Sequence, residues 1–411
     1  MAKMDEQAEA KPVPSGVKLT PLDPTFQHDP YPVLDELRSR EPVHWDAQLH
    51  RWVLSRHDDV DRVLRDRSLS VDPRNAAPDS FERMFLRDED HRGEPSMLFA
   101  DPPYHTRLRG LVSKAFTPRA VEQMAPRIQE IVDELLDAVA GEPEFDLIGA
   151  FAAPLPTIVI AEMLGVDPAD RGDFKRWSDT SVQVFNPLLR PEERKQVEQA
   201  GMALGDYFRH EIAKRRTEER DDLIASLMRA EEGGDTLSED EIVTMCNLLL
   251  TAGNVTTTDL IGNGVLALLQ HREELRKLQA DPSLIKNAVE EMLRYDSPAT
   301  QSGRTPLEAY EIDGHVIDGG QSITPQLAAA NHDPAVYPEP HKFDITREDT
   351  HHHSFGGGVH YCLGAPLARL EAQIAIGTLV RRFPNLRLGD AALEYRKIPS
   401  FRGLAKLPVR P

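Results

Sequence analysis

The pattern of apolar and polar positions along the chain predicts a protein dominated by helices. In many segments apolar residues recur three and four positions apart, which is the period of a helix with one buried face. The predicted helices cover residues 29–40, 104–116, 118–140, 156–165, 168–185, 191–215, 221–230, 238–270, 271–279 and 284–295. The segment 238–270 is long and apolar in its middle, so we interpret it as a central buried helix.

Strand patterns are short and few. Residues 44–46 and 51–55 alternate like strands, and 307–330 combine strand-forming residues with glycine-containing turns. Residues 69–100 have little periodicity and predict a long irregular loop, a type that is usually functional inside a compact domain. The sequence therefore predicts a mainly α fold with minor β. It also predicts a flexible tail over residues 1–20 and one large domain over 21–411.

Composition and charge narrow the class of protein. The chain has 411 residues, with 48 basic against 68 acidic side chains and a net charge of −20. Such a surface disfavours nucleic acid and anionic membranes as partners. No apolar run approaches the length of a membrane span, and the polar N-terminal residues do not resemble a signal peptide. The only two cysteines, Cys246 and Cys362, imply no disulfide framework, so we expect a cytoplasmic protein.

The most informative stretch is residues 351–364, in which Cys362 ends a glycine-rich run. Three consecutive glycines let a backbone pass close to a flat ligand. The helix-forming stretch 365–380 follows, and N–H groups near a helix start can stabilise a thiolate. Taken alone, a single cysteine is more often a small buried side chain than a ligand.

The whole string resembles the haem-binding signature of the cytochrome P450 family. The positions that define the signature are Phe355, Gly358, His360, Cys362 and Gly364. The resemblance extends from about residue 20 to the end of the chain. Within the family, the chain is most similar in type to the soluble, bacterial branch. It implies a haem-thiolate monooxygenase with haem b, in which Cys362 binds the iron and Gly356 also lies at the cofactor.

The same resemblance implies which residues hold the haem propionates. They are His105, Arg109, Arg304 and His352. His105 and Arg109 are four positions apart and share one helix face. Each of the four, taken singly, would be an ordinary solvated side chain. The run 351–353 of three histidines could also suggest a metal site, but adjacent residues do not share one side of a helix or strand.

Residues 252–256 resemble the family's oxygen-activation motif. The resemblance assigns Thr256 to oxygen activation and implies that Ala252 and Gly253 leave space for dioxygen. A glycine inside a helix costs about 1 kcal/mol relative to alanine, which supports a need for space. From the residues alone, a core helix with threonines packed against neighbours is the simpler interpretation.

The motif departs from the family at Val255, where an acidic residue is usual. Valine cannot relay protons, so the standard proton route is in doubt. Asn254, Thr257 or an ordered water could substitute, and Asp259 lies three residues beyond Thr256 on nearly the same helix face.

Glu291 and Arg294 are three positions apart and can pair on one helix face. An exposed ion pair is the commonest fate of this pattern. The resemblance instead implies a buried pair that helps to hold the cysteine loop. By analogy with the family, the residues expected to line the substrate pocket are Phe85, Leu98, Phe185, Leu249, Ala299, Thr300 and Phe401.

The chain has no flavin or nicotinamide fingerprint and too few cysteines for an iron–sulfur cluster, so its electrons must come from another protein. The resemblance implies a ferredoxin and its reductase, docked over Cys362 near Arg107, Lys114 or Arg369. The expected substrates are dioxygen and a small hydrophobic organic molecule. Two alternatives remain open: a peroxide-driven, dehydrating or coupling haem-thiolate enzyme, and a non-catalytic haem sensor.

Overall fold

Helices make up most of the structure, a computed structural model that describes residues 12–86, 95–181, 183, 186 and 189–411. The α-helices in this part of the chain are α1 (Pro24–His28), α2 (Tyr31–Arg40), α3 (His57–Arg65), α4 (Tyr104–Ala115), α5 (Pro118–Gln123), α6 (Ala125–Val139), α7 (Pro154–Leu164), α8 (Arg171–Ser181), α9 (Pro191–Arg215), α10 (Leu223–Arg229), α11 (Glu239–Gln270), α12 (Arg272–Ala280), α13 (Ile285–Tyr295), α14 (Leu327–Ala330) and α15 (Ala365–Arg382).

The strands form small sheets. They are β1 (Val43–Asp46), β2 (Arg51–Leu54), β3 (Leu69–Ser70), β4 (Phe145–Asp146), β5 (Glu231–Glu232), β6 (Asp235–Thr236), β7 (Thr305–Pro306), β8 (Tyr310–Ile312), β9 (His315–Ile317), β10 (Ser322–Pro325), β11 (Arg387–Leu388), β12 (Glu394–Tyr395), β13 (Leu404–Lys406) and β14 (Pro408–Arg410). Two sheets have three strands, in the orders β1-β2-β10 and β11-β14-β4. In the first, β1 pairs with β2 antiparallel and β10 pairs with β2 parallel. The predicted mainly α fold with minor β is confirmed.

The central helix is confirmed as α11, which spans 32 residues. It begins with a capping box, in which Ser238 Oγ accepts from the N–H of Glu241 and the Glu241 carboxylate accepts from the N–H of Ser238. Between Asn254 and Leu269, Thr256 is the one residue that is not buried against protein. This half of α11 is therefore surrounded by protein, and Thr256 is the position at which its side is partly exposed.

Several predicted boundaries differ from the structure. The predicted helix 118–140 is two helices that meet at Met124, because Pro126 lacks an N–H and starts a new helix. The predicted helix 168–185 is observed as the shorter α8. Sequence analysis also missed α3, although its buried residues Val60, Val63 and Leu64 have helical spacing.

The N-terminal part of the described chain packs against the protein before residue 21. Leu19 is 1% exposed, and the N–H of Gly16 donates to the Asp46 carboxylate at 2.9 Å. Residues 12–20 are therefore not the free tail that was predicted, while 1–11 lie outside the described residues.

Across the described residues, none of the helices combines the length and apolar character needed to cross a bilayer.

Candidate active site

An internal cavity of about 330 Å³ is lined both by α11 and by the segment that carries Cys362. Its wall is mostly apolar. The predicted site residues that line it are Leu98, His105, Arg109, Leu249, Ala252, Gly253, Thr256, Ala299, Phe355, Gly356, His360, Cys362, Gly364 and Phe401. Residues from five distant parts of the sequence thus meet at one place.

The backbone around Cys362 forms a tight turn that presents the sulfur to the cavity. The N–H of Cys362 donates to the carbonyl of Phe355 at 3.0 Å, which closes the loop. Gly358 has a φ of 64°, and a Cβ at this position would lie 2.4 Å from the carbonyl oxygen of Leu64 at the end of α3. Only glycine fits this close approach.

The environment of the Cys362 thiol contains opposing influences. Burial raises the pKa of the thiol, whereas the backbone N–H groups of Gly364 and Ala365 and the charge of Arg109 lower it. Those N–H groups belong to the N-terminal end of α15, where a helix favours an anion. The arrangement suits a thiolate that is neutralised by a bound metal ion.

A buried ion pair supports this side of the cavity. The Glu291 and Arg294 side chains are both 0% exposed, and their two N–H···O contacts measure 2.7 and 2.9 Å. Arg294 also donates to the carbonyl oxygens of Asn331 and Pro340, each at 2.9 Å. The pair is therefore a hub that ties α13 to the segments that follow it.

Asn331 connects the ion pair to the cysteine loop. Its side-chain amide donates to Ser297 Oγ at 2.7 Å and to Ser354 Oγ at 2.9 Å, and its oxygen accepts from the N–H of His353 at 2.7 Å. Ser354 precedes Phe355, the residue that accepts the Cys362 N–H. The hydrogen bonds thus run continuously from the buried pair to the cysteine turn.

Cationic and imidazole side chains gather at one edge of the cavity. The rings of His105 and His360 lie 4.1 Å apart, and Arg109 lines the same wall. Burial lowers the pKa of Arg304 to about 10, and burial with neighbouring cations lowers the pKa of His360 to about 3. At neutral pH the two arginines carry the positive charge while the histidines are neutral donors or acceptors.

These residues fit the carboxylate edge of a haem. His105 Nδ1 is buried without a hydrogen-bond partner in the described protein. Arg304 and His360 both line a second cavity of about 190 Å³ that lies beside the main one. Arg109, Arg304 and the unpartnered His105 nitrogen offer positive charge and a hydrogen-bonding group to an anionic ligand, and the two haem propionates would be such a ligand.

His352 is not brought together with the other predicted propionate ligands. Its Nε2 lies 3.2 Å from the Glu290 carboxylate, which also accepts from Arg369 at 2.7 Å. Although burial raises the pKa of Glu290, hydrogen bonds from His352 and Arg369 lower it to about 2. His352 is thus tied to a carboxylate, and among the histidines of this segment His360 faces the cavity.

The α11 wall combines small residues with one hydroxyl. Thr256 Oγ1 donates to the carbonyl of Ala252, one turn earlier, at 2.9 Å. A Cβ added at Gly253 would have no other heavy atom within 4 Å, so the space expected above this residue is present. Asn254 points elsewhere, since its amide donates to Ser178 Oγ on α8 at 3.1 Å.

The sequence analysis offered Asn254, Thr257 and Asp259 as substitutes for the acid that Val255 replaces, and of these three only Thr257 lines the cavity. Val255 is buried, and Asp259 pairs with Arg396 while packing against Gly403. Neither residue lines the cavity, whereas Thr257 does.

Sequence reasoning missed Glu371 on α15. Among the described residues that line the cavity it is the one carboxylic acid, and its Oε2 has no hydrogen-bond partner. Burial raises its pKa to about 8, so it is neutral at pH 7. No local pattern marks it, because only tertiary packing removes its partners and solvent.

The predicted substrate residues divide into three groups. Leu98, Leu249, Ala299 and Phe401 line the cavity. Thr300 does not: its N–H donates to the carbonyl of Ser400 and it lines a separate small cavity. Phe185 and the side chain of Phe85 lie outside what the structure describes. The cavity wall also contains residues that the sequence analysis did not assign to the pocket, among them Leu248, Pro298 and Gln301.

The cations predicted to dock a redox partner are already paired. Arg107 contacts Asp235 and Glu241. Lys114 donates to a backbone carbonyl of the β5–β6 hairpin at 2.7 Å, and Arg369 contacts Glu290. A partner would therefore have to compete with these contacts.

The fold and the thiol-containing cavity define a haem-thiolate oxidoreductase, and the comparisons with known proteins agree. A family model described as cytochrome P450 matches residues 43–386. The chain belongs to the cytochrome P450 family. It is thus a monooxygenase-type enzyme that uses haem, an organic substrate, dioxygen and a redox partner.

Two relatives and one solved structure illustrate the similarity. Cytochrome P450 107B1 of Saccharopolyspora erythraea is 45% identical over 372 residues, which are 88% of this chain and 90% of the relative. Cytochrome P450 monooxygenase PikC of Streptomyces venezuelae is 39% identical, covering 97% and 94%. The structure of the bacillaene polyketide synthase cytochrome P450 PksS of Bacillus subtilis has a TM-score of 0.86 and 40% identity, covering 94% and 97%.

Proposed function

We propose that this protein binds haem b through Cys362 and inserts one atom of dioxygen into a small, neutral, hydrophobic organic molecule. The observation that carries the proposal is a single, mostly apolar cavity that is lined by the Cys362 thiol, by His105 and Arg109 at one edge, and by Thr256 on α11.

The cofactor would be held from two directions. Cys362 supplies the sulfur ligand from the N-terminal end of α15. His105, Arg109, Arg304 and His360 would hold the propionates. A thiolate-ligated haem supplies the oxygen chemistry, because sulfur donates electron density that favours O–O cleavage.

On the α11 side, Thr256 would position water and pass protons into the cavity. Its hydroxyl hydrogen is donated to Ala252, so the oxygen can accept a hydrogen bond from a water molecule. Thr257 lines the same wall and offers a second hydroxyl. Gly253 keeps the space above it free for a diatomic ligand.

The substrate preference follows from the wall. Leu98, Leu248, Leu249 and Phe401 supply apolar surface. A charged or strongly polar substrate group would lose its hydration here without gaining a partner, which costs several kcal/mol. Hydrophobic molecules avoid this cost.

The electron donor would be a ferredoxin with its reductase, because the sequence lacks a nucleotide-binding fingerprint of its own. Val255 favours one alternative, a peroxide-driven enzyme that needs no relay of protons from an acid at this position. Turnover rates with peroxide and with the reductant chain, measured on one substrate, separate the two. Faster turnover with the reductant chain supports the monooxygenase.

The direct test is optical. The purified protein should show a thiolate-ligated haem spectrum, and apolar compounds should shift the ferric iron from low to high spin. Cys362→Ser should abolish the thiolate-type spectrum of the reduced carbon monoxide adduct. The matched control is Cys246→Ser, which alters a buried cysteine outside the cavity. A thiolate spectrum that persists in Cys362→Ser and disappears in Cys246→Ser would overturn the assignment.

A further inference from the structure

A glutamate occupies the cavity next to the proposed propionate edge. Glu82 lies in the 3-10 helix Phe81–Phe85, and its N–H donates to Ser322 Oγ at 2.9 Å. Its carboxylate rests on Gly303, where an added Cβ would lie 2.3 Å from Oε2. Gly303 directly precedes Arg304, so the absence of a side chain at 303 lets this carboxylate approach the edge.

The Glu82 carboxylate is not satisfied by the protein. In the part of the chain that is described, it accepts no hydrogen bond and forms no ion pair within 4 Å. Two guanidinium groups face it at longer range, those of Arg51 and Arg304. Arg51 is fully buried, and its Nη2 has no partner. Burial raises the pKa of Glu82 to about 7, although both arginines lower it.

The Glu82 carboxylate lies in the same small cavity in which we place a haem propionate, which is a second carboxylate. Glu82, Arg304 and His360 line the same cavity of about 190 Å³. Two carboxylates in one low-dielectric site cannot both be ionised without a large penalty, and they relieve it by sharing one proton. A protonated Glu82 can donate to a propionate, whereas an ionised one repels it.

The position of Glu82 links the cofactor edge to the substrate side. It belongs to the predicted loop 69–100, whose far end contributes Leu98 to both cavities and Phe99 to the smaller one. A hydrogen bond from Glu82 to the cofactor would therefore tie the 3-10 helix Phe81–Phe85 to the haem at a cavity that Leu98 and Phe99 also line.

We propose that Glu82 is a positioning residue that binds a haem propionate through a shared proton and fastens the 3-10 helix Phe81–Phe85 to the cofactor. The inference rests on the proposed haem site. It predicts that haem binding raises the proton occupancy of Glu82, so that protons are taken up at pH values above about 7, where this carboxyl is mostly ionised before haem binds.

The pH dependence has a defined sign. Haem should be held more tightly below the raised pKa of Glu82, and its release should accelerate as the pH rises through it. Arg51 and Arg304 remain charged near neutrality, and His360 is neutral. Asp101, the other acid near Arg304, accepts hydrogen bonds from Ser70 and Val71 instead.

The test is the rate of haem transfer from the holoenzyme to excess apomyoglobin between about pH 6.5 and 8.5, where a carboxyl of this pKa titrates. The wild-type rate should rise by about threefold or more across this range, because the ionised Glu82 repels the propionate that the protonated form binds. Glu82→Gln keeps a neutral donor, so its rate should stay flat and near the low-pH wild-type value.

Two variants sharpen the result. Gly303→Ala places a methyl group against the Glu82 carboxylate and should remove the pH dependence while speeding haem loss. Glu308→Gln removes an exposed acid five residues after Gly303 in the sequence. This variant should behave like the wild type. Circular dichroism checks that each variant is folded.

Equal pH dependence in wild type and Glu82→Gln would overturn the shared proton. A wild-type protein without a thiolate-ligated haem would instead refute the proposed function, so the two failures are distinguishable.

Discussion

The two sides of the cavity are built in opposite ways. On the cysteine side, the Glu291–Arg294 pair and Asn331 form a buried network in which hydrogen bonds lead to the turn that presents Cys362. On the α11 side, small and apolar residues leave space, and within the described part of the chain the Thr256 hydroxyl bonds to its own helix, at the Ala252 carbonyl. The cysteine side fixes one geometry, as a metal ligand requires, while the α11 side leaves room for a diatomic gas and varied substrates.

Breaking the network should give the largest effect. Arg294→Leu removes the two-point partner of the buried Glu291, whose remaining ionic contact is the longer one with Arg347 at 3.2 Å. We expect this to cost about 3–5 kcal/mol of folding free energy and to weaken haem retention. Denaturant unfolding followed by circular dichroism measures the loss. The matched control is Arg410→Leu, which breaks a more exposed pair with Glu144 and should cost about 1 kcal/mol or less. Equal losses would show that the buried network has no special role.

Glu371 is the exception on the cysteine side, because its buried Oε2 has no hydrogen-bond partner among the described residues. Its pKa is raised from 4.5 to about 8 in the folded protein. The stabilisation from this proton is fully present below the unfolded pKa and is lost as the pH rises through the folded one.

Glu371→Gln should therefore be more stable than the wild type at about pH 8, by roughly 1–4 kcal/mol, and the difference should shrink toward about pH 5. Denaturant midpoints at the two pH values test this. A difference that does not depend on pH would mean that the carboxyl is charged, or solvated, in the folded state.

A substitution on the α11 side of the cavity should have the smallest effect on stability, although it should affect function. Thr256→Val should change the folding free energy by less than about 1 kcal/mol, since its side chain faces space. The ratio of product formed to reducing equivalents consumed should fall, and Thr256→Ser should restore it. Thr258→Val is the control, because that hydroxyl bonds backbone carbonyls away from the cavity. Loss of coupling in both valine variants would assign the effect to helix packing.

The proton route shows where sequence reasoning reached its limit. Helical periodicity placed Asp259 near the face of Thr256, but Arg396 and Gly403 hold it on another side. Asn254 is likewise held by Ser178. The spacing of residues on one helix gives a direction to within part of a turn, and it does not say which neighbour occupies that direction.

At the proposed propionate edge, the sequence likewise did not show which of two histidines faces the cavity. His352 and His360 both lie near Cys362 in sequence, and either could have faced the cavity. The turn at Gly358 directs His360 inward, while Glu290 holds His352 on the other side of the loop. Glu82 and Glu371 carried no signal at all, because their significance lies in missing partners.

The sequence by itself determined the helical architecture, the central helix, the cysteine turn and the family. These depend on local period, on capping and on a short run in which glycine, histidine and cysteine are adjacent. Only the tertiary structure decided which polar side chains face the cavity, which cations are already paired and which acids are left without a partner. The reason is physical: charge, solvent exposure and hydrogen bonding are set by groups that are distant in the chain and close in space.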